Sequence, residues 1–265
     1  MGGVNMKIKQ VLLSILGEKR FLVLLSGTFQ VLYRMGAVGK EYNDIYFLKR
    51  YIRKGDECID IGAHLGYFTL ELSRLVQPGG HVYAVEPMKK FNSVLERLLV
   101  RYKARNVTLY PVALGGSGKY VEMGIPEVGR NKKFAHARVM ESSPGLHYID
   151  TERVENYSGD QLFKKLPRLD FVKCDVEGLE YSVFSSMMET LARHRPILLG
   201  EFFDRDQRIR LYELLRPLGY EVFRLDRDQW HALDVYAEGD MISQNNYFIS
   251  EDHRQRLSHL FFFKP

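Results

Sequence analysis

The chain has 265 residues, 45% of them hydrophobic and 27% charged, with a formal net charge of +5. That is enough apolar material for one sizeable α/β domain with a small extra layer, and too little for a second full domain. A mild positive excess spread over 38 basic residues does not by itself call for nucleic acid, and the two cysteines, Cys58 and Cys174, fall inside apolar runs and read as buried reduced thiols rather than a disulfide or a metal pair.

Residues 1–40 form a leucine- and valine-rich N-terminal extension. Its apolar stretch from Val11 to Tyr33 is interrupted by Glu18-Lys19-Arg20 and by Ser26-Gly27-Thr28, so no span near 20 residues remains to cross a bilayer. Lys7 and Lys9 precede an apolar run that is too short for a signal peptide and lacks a small-residue cleavage site. Two short helices packing on the domain or on a partner are expected, with peripheral membrane contact through residues 10–33 as the second reading. The expected location is the cytoplasm, with or without that contact, and the oligomeric state is open.

Residues 41–265 read as the main domain, and between Asp56 and Asp252 short apolar runs alternate with amphipathic stretches, the pattern of a doubly wound, mostly parallel sheet. Glu57 to Ile61 reads as the first strand, and Tyr67 to Val76 as a helix stopped by Pro78-Gly79-Gly80. His81 to Val85 is the second strand. The helix after it sets Phe91, Val94, Leu95, Leu98, Leu99 and Tyr102 at helical spacing. Val107 to Leu114 reads as the third strand, and about 120–153 as a hairpin-bearing insertion over the sheet edge. Leu169 to Val176 and Ile197 to Glu201 follow as strands, with a helix from Tyr181 to Arg193 between them and another from Gln207 to Leu218 after them. Glu221 to Leu225 and Asn246 to Ser250 close the sheet as an antiparallel end.

The chemistry gathers at strand ends. Asp60 closes the first strand and opens the loop Asp60-Ile61-Gly62-Ala63-His64-Leu65-Gly66, and Glu86-Pro87 follows the second strand. Two glycines four apart after a strand, and an acid about 20 residues on, describe a β-turn-α-β nucleotide unit. A dinucleotide loop carries glycine where Asp60 stands, because it must approach an anionic pyrophosphate; that disfavours a nicotinamide oxidoreductase. A carboxylate there suits a ligand with ammonium and sulfonium charges and no phosphate, namely S-adenosylmethionine, with Glu86 accepting from the ribose hydroxyls. Asp60, Gly62, Ala63, His64, Gly66, Glu86 and Pro87 are therefore the candidate cofactor residues. Asp175, Glu177 and Glu201 end later strands, and so many carboxylates at one rim argue for a cation-accepting cleft. No histidine or cysteine pair has a metal-ligand spacing, so no metal is expected, an oxygen-ligated ion on Asp175, Glu177 and Glu201 being the alternative.

These pieces resemble the FkbM family of S-adenosylmethionine-dependent methyltransferases. The resemblance runs from Glu41 to Ser250 through Ile59-Asp60-Ile61-Gly62-Ala63-His64-Leu65-Gly66-Tyr67-Phe68-Thr69, Val85-Glu86-Pro87 and Pro111-Val112-Ala113-Leu114. Most diagnostic is Asp170-Phe171-Val172-Lys173-Cys174-Asp175-Val176-Glu177-Gly178-Leu179-Glu180; before it the chain departs from the family pattern, matching only at Asp160. The resemblance implies a Rossmann-like sheet of seven strands, S-adenosylmethionine as methyl donor, Val112 and Ala113 at the cofactor, and methylation of a hydroxyl on a sugar, glycan or natural-product-like metabolite. A hydroxyl acceptor needs a base, and Asp175 and Glu177 are the candidates. Glu201, Tyr42, Trp230 and His231 are the candidate substrate-facing residues, the last three read as loop positions. Two alternatives stand beside this. Arg130, Lys132, Lys133, Arg138 and the basic run Arg101 to Arg105 suit an RNA methyltransferase, although no RNA module accompanies them and no nucleic-acid partner is expected; a non-catalytic, membrane-associated module would keep the fold alone.

Overall fold

Four residues in a row of the first strand, Cys58 to Ile61, are buried, which a parallel strand covered on both faces requires. The computed structural model describes residues 6–115, 118–127, 137–142, 145–202, 204–237 and 245–262. In chain order these form α1 (Met6–Leu16), α2 (Glu18–Arg34), α3 (Asn43–Phe47), β1 (Glu57–Ile61), α4 (Tyr67–Leu75), β2 (His81–Val85), α5 (Lys89–Tyr102) and β3 (Val107–Tyr110). Then come β4 (Ala113–Leu114), β5 (Tyr120–Pro126), β6 (Arg138–Val139), β7 (Tyr148–Tyr157), α6 (Gly159–Phe163), β8 (Phe171–Cys174), α7 (Glu180–Ser185) and α8 (Met188–His194). The chain continues through β9 (Ile197–Glu201), α9 (Arg205–Leu215), β10 (Tyr220–Asp226), β11 (Gln229–Ala232), β12 (Asn245–Ser250) and α10 (Glu251–Arg256).

The main sheet has the order β11-β10-β12-β9-β8-β1-β2-β3. Strands β9, β8, β1, β2 and β3 are parallel, and β12, β10 and β11 add an antiparallel end. After β1 the chain runs outward through β2 and β3, and it returns to the other side of β1 with β8. The order therefore reverses between β1 and β8, where a crevice opens beyond the strand ends.

The sheet has eight strands where seven were expected. Gln229–Ala232 pairs with β10 through a two-residue turn at Arg227 and Asp228, both with positive φ (46° and 63°). Such turns favour Asn-Gly or Asp-Gly, and Arg-Asp carries no such signal. The expected third strand is shorter: β3 ends before Pro111, which has no N–H for the ladder, and Ala113–Leu114 crosses to a second sheet of order β4-β7-β5-β6. The helix expected from Tyr181 to Arg193 is two helices. Asp160 accepts from the backbone N–H groups of Glu189 and Thr190 at 3.0 and 2.8 Å, so α8 starts afresh with its own cap.

Two apolar cores cover the faces of the main sheet. The N-terminal helices join them: α2 buries Phe29 and Tyr33 against the first, and Phe21 and Leu22 against a third cluster with Phe91, Val94 and Leu98 of α5. Two of the residues that interrupt the apolar run, Ser26 and Gly27, lie within this packing. Ser26 is buried and donates to the Leu65 carbonyl at 2.9 Å, and a Cβ on Gly27 would sit 3.9 Å from the ends of Arg101 and Tyr102. Among the described residues no helix is long and apolar enough to cross a membrane.

Candidate functional site

The loop after β1 is shaped by contacts that only glycine permits. Gly62 has φ +75°, and a Cβ there would lie 1.9 Å from the Asp175 carbonyl oxygen; Gly66 has φ +76°, and its Cβ would meet Leu95 at 2.5 Å. The N–H groups of Gly62 and Ala63 both donate to the Val85 carbonyl, at 2.9 and 3.0 Å. This draws the loop across the end of β2, beside Glu86.

Glu86 is buried, and its carboxylate accepts from the backbone N–H of His64 at 2.8 Å and of Met88 at 3.0 Å. Burial pushes its carboxyl up to about 7, against the pull of those two donors. A carboxylate offers roughly four acceptor positions, so each oxygen keeps one for a ligand. Around it lies an open cavity walled by His64, Pro87, Phe91, Val112, Ala113, Met123 and Leu179, with Asp175 and Glu177 also lining it. The His64 ring meets Phe91 edge-on at 4.2 Å. From the insertion, Ala137 and Val139 also line this cavity, and Arg138 between them reaches Glu177 Oε2 at 3.3 Å.

A second cavity adjoins the same loop, and Gly62, His64 and Asp175 line both. It is walled by Glu41, Tyr42, Asp60, Tyr67, Phe68, Lys173, Glu201 and Asn245, among others. Its charges are set by strand register. Asp60 of β1 is paired with Lys173 of β8, and the β8–β9 register that pairs Cys174 with Gly200 brings Asp175 beside Glu201 one step later. Lys173 Nζ lies 3.6 Å from Asp60 Oδ1 and 3.4 Å from Asp175 Oδ2, and it donates to the Gly62 carbonyl at 3.1 Å. Burial alone would lower its pKa, but Asp175 and Asp60 outweigh that and hold it above the ordinary lysine value. Asp60 Oδ2 accepts from Thr69 Oγ1 at 2.5 Å, while its buried Oδ1 has no hydrogen bond. Burial first, and then the adjacent Asp175, push Glu201 up to about 8, and the protonated Glu201 donates to Asp175.

The profile of the FkbM methyltransferase domain matches residues 60–225. The chain belongs to this family. FkbM-domain proteins are S-adenosylmethionine-dependent methyltransferases, and the sheet described above is the Rossmann-like one of such enzymes. A crystal structure of an FkbM methyltransferase from Methylobacillus flagellatus KT aligns with TM-score 0.52 and 18% identity, over 92% of this chain and 58% of that one. An S-adenosylmethionine-dependent O-methyltransferase from Thermotoga maritima aligns with TM-score 0.45 and 14% identity, over 80% of this chain and 64% of that one. A curated protein-L-isoaspartate O-methyltransferase from Methanothrix thermoacetophila is 34% identical over 58 residues, 22% of this chain and 28% of that protein. The FkbM chain thus spans little more than half of the first structure and about a quarter of the curated relative.

Against this frame of two cavities, Pro87, Val112, Ala113, Glu86 and Glu177 line the first, and Tyr42, Asp60, Ala63 and Glu201 the second. Gly66 lines neither and instead ends the loop at the start of α4. Trp230 and His231 correct the reading of a substrate-facing loop. They lie in the edge strand β11; Trp230 is fully buried against Phe47, Tyr51 and Phe261, and the His231 ring stacks on Phe262 at 4.4 Å. Neither lines the two cavities. Among the basic residues weighed for RNA, Arg138 is paired with Glu177, while Arg130, Lys132 and Lys133 lie outside the described residues.

Two residues of the diagnostic motif carry roles that sequence reading missed. Lys173 is the buried cation of the second cavity. Glu180, also buried, accepts from the N–H groups of Val176 and Gly178 at 2.9 and 3.3 Å and holds the loop that carries Asp175 and Glu177. Glu180, and not Glu177, therefore ties down the loop entering α7. A lysine inside an otherwise apolar run is the signal that marks Lys173, whereas Glu180 stands in a polar stretch that carries no such signal.

Proposed function

We propose that this FkbM-domain chain methylates a hydroxyl of a sugar, glycan or natural-product-like metabolite, and that the two cavities divide the work. The observation that carries the reading is the Lys173, Asp175, Glu201 cluster in the second cavity, with Asp175 lining the first cavity as well. In this reading Glu86 takes the two ribose hydroxyls on its free acceptor positions, and Pro87, Val112 and Ala113 give the base an apolar wall. Asp60, whose Oδ1 makes no hydrogen bond and lies 3.6 Å from Lys173, stands ready for the ammonium end from the second-cavity side of the shared loop, and Gly62, Ala63, His64 and Gly66 shape the backbone around it. When bound, S-adenosylmethionine supplies an electrophilic methyl group on a positively charged sulfur.

The chain's own task is to orient a hydroxyl and take one proton. Glu201, once ionised, accepts that proton, and Asp175 holds the hydroxyl in line. Lys173 pairs with Asp60 and Asp175, and so offsets the several kcal/mol that burying the Asp60 carboxylate without a partner would cost. Glu177, fastened to Arg138, steadies the insertion over the first cavity. Tyr42 and Tyr67 offer aromatic faces to the acceptor.

The test is transfer of a labelled methyl group from S-adenosylmethionine to a panel of free sugars, nucleotide sugars, glycans and bulk RNA. The reading expects label in a hydroxyl-rich fraction as an ether that survives mild alkali. Label confined to RNA, or to an alkali-labile ester, overturns it.

A further inference from the structure

Among the described residues, six of the exposed large aliphatic side chains lie on or just after the N-terminal helices and on α5; the other two, Leu146 and Ile149, belong to the insertion. The six are Val11 and Ile15 of α1, Leu24 and Val31 of α2, Met35 just after it and Val100 of α5, with Ile15 and Met35 73% exposed and Val100 80%. Leu24, Val31 and Met35 are seven and four residues apart, which puts them in one stripe of the helix. The opposite face of α2 is the buried one, carrying Leu22, Phe29 and Tyr33. The outer edge of α5 adjoins that stripe: Arg101 reaches to Gly27, and the Arg34 guanidinium sits 5.3 Å over the Tyr102 ring.

The positive charge of the chain lies in the same two segments. Residues 6–35 contain five cations and one anion, and residues 89–105 six cations and one anion, a joint net charge of +9 against +5 for the whole chain. The remainder is therefore net negative by four. At the start of α5, Lys90 is paired with Glu18 at 2.5 Å and Asp150 at 3.7 Å, and Lys89 with Glu152 at 3.3 Å, so the excess left to meet a partner is carried by the other cations of the two segments.

These features narrow the occupant. A second copy would set one strongly positive face on another, with a repulsion that grows at low salt. A nucleic acid would satisfy the cations but would leave Leu24, Val31 and Met35 against phosphate. An anionic bilayer answers both features, because aliphatic tips settle among the acyl chains while lysine and arginine meet lipid phosphates.

We propose that the outer face of α1 and α2, with the exposed edge of α5, docks on an anionic lipid bilayer and lies in its interface without crossing it. The inner face of α2 links this surface to the second cavity, since Phe29 stacks on Tyr67 at 3.8 Å and meets Tyr42 at 4.7 Å, and both tyrosines line that cavity. Docking would hold the cavity about one helix diameter, roughly 10 Å, from the lipid.

The test is sedimentation of the full chain with sucrose-loaded vesicles of phosphatidylcholine alone and with about 30% phosphatidylglycerol, at about 0.1 M salt. The expected result is at least tenfold tighter partition to the anionic vesicles, weakened by raising the salt. Leu24→Glu with Val31→Glu should lower that partition roughly tenfold or more while leaving Tm and S-adenosylmethionine binding unchanged, because both side chains are exposed. Three outcomes overturn the proposal: no partition to either vesicle, partition indifferent to the double substitution, or a lipid-free dimer that the double substitution dissociates. The salt series reads the charge component on the unaltered protein, so the test does not depend on the variant alone.

Discussion

The two cavities at the rim of the sheet are built on different principles. In the first, the one charged group deep in the wall, Glu86, is held by backbone N–H groups at 2.8 and 3.0 Å, and apolar side chains complete the surface. In the second, side chains hold one another: Lys173 sits between Asp60 and Asp175, and Asp175 bonds to Glu201. A site fixed by backbone keeps its shape when neighbouring side chains change. A site fixed by mutual charges changes its proton affinity with each substitution. The first suits a ligand common to a whole family, and the second suits the proton handling and selectivity that differ between members.

The largest expected effect breaks the second cavity alone. Asp175→Asn and Glu201→Gln should each lower turnover on an identified acceptor by about 10²–10⁴-fold, the range of a lost base or its orienting partner, with S-adenosylmethionine affinity changing little. Turnover unchanged in both would remove the cluster from the chemistry. Next comes a substitution remote from both cavities. Trp230→Ala should cost about 3–5 kcal/mol of stability by leaving a hole in the aromatic core, while the folded fraction binds S-adenosylmethionine as the unaltered protein does. Denaturant unfolding and calorimetry check the two halves of that statement.

The contrast between these residues shows what sequence makes legible. Glu86, Gly62 and Gly66 were readable because each answers a backbone demand that few residue types meet: a positive φ, a close approach, an acceptor for loop N–H groups. Lys173 was not, because its partners come from the strand order. Asp60 and Lys173 are 113 residues apart and become neighbours only when β1 and β8 are known to pair. Asp175 and Glu201 depend likewise on the register of β8 with β9. Trp230 was misread for the opposite reason: Asp226-Arg227-Asp228-Gln229 is polar enough to read as a loop, yet it is a tight hairpin turn that turns Trp230 into the core.

Smaller effects sharpen the comparison. Gly62→Ala should destabilise by about 1–3 kcal/mol, through its positive φ and the contact with the Asp175 carbonyl, and because Gly62 lines both cavities it should weaken cofactor binding and turnover together. A pH series separates the cavities more gently. With Glu201 raised to about 8, turnover should climb as pH rises through that value, and in Asp175→Asn the residual limb should move to lower pH, since Asp175 contributes to the rise. The same shift has a stability sign. Between the unfolded carboxyl value of 4.5 and about 8 the folded protein holds a proton on Glu201 that the unfolded chain has lost, so this group makes stability fall as pH rises across that window. Glu201→Gln should show a shallower fall over the same window in thermal melts.

The division of labour is tested most directly by calorimetric titration of S-adenosylmethionine into the unaltered protein, Glu86→Ala and Glu201→Gln. The account predicts that Glu86→Ala weakens binding by roughly 10–100-fold, the loss of charge-assisted hydrogen bonds worth about 1.5–3 kcal/mol, and that Glu201→Gln stays within a few-fold of the unaltered protein. Equal loss in both variants, or retained affinity in Glu86→Ala, would contradict it.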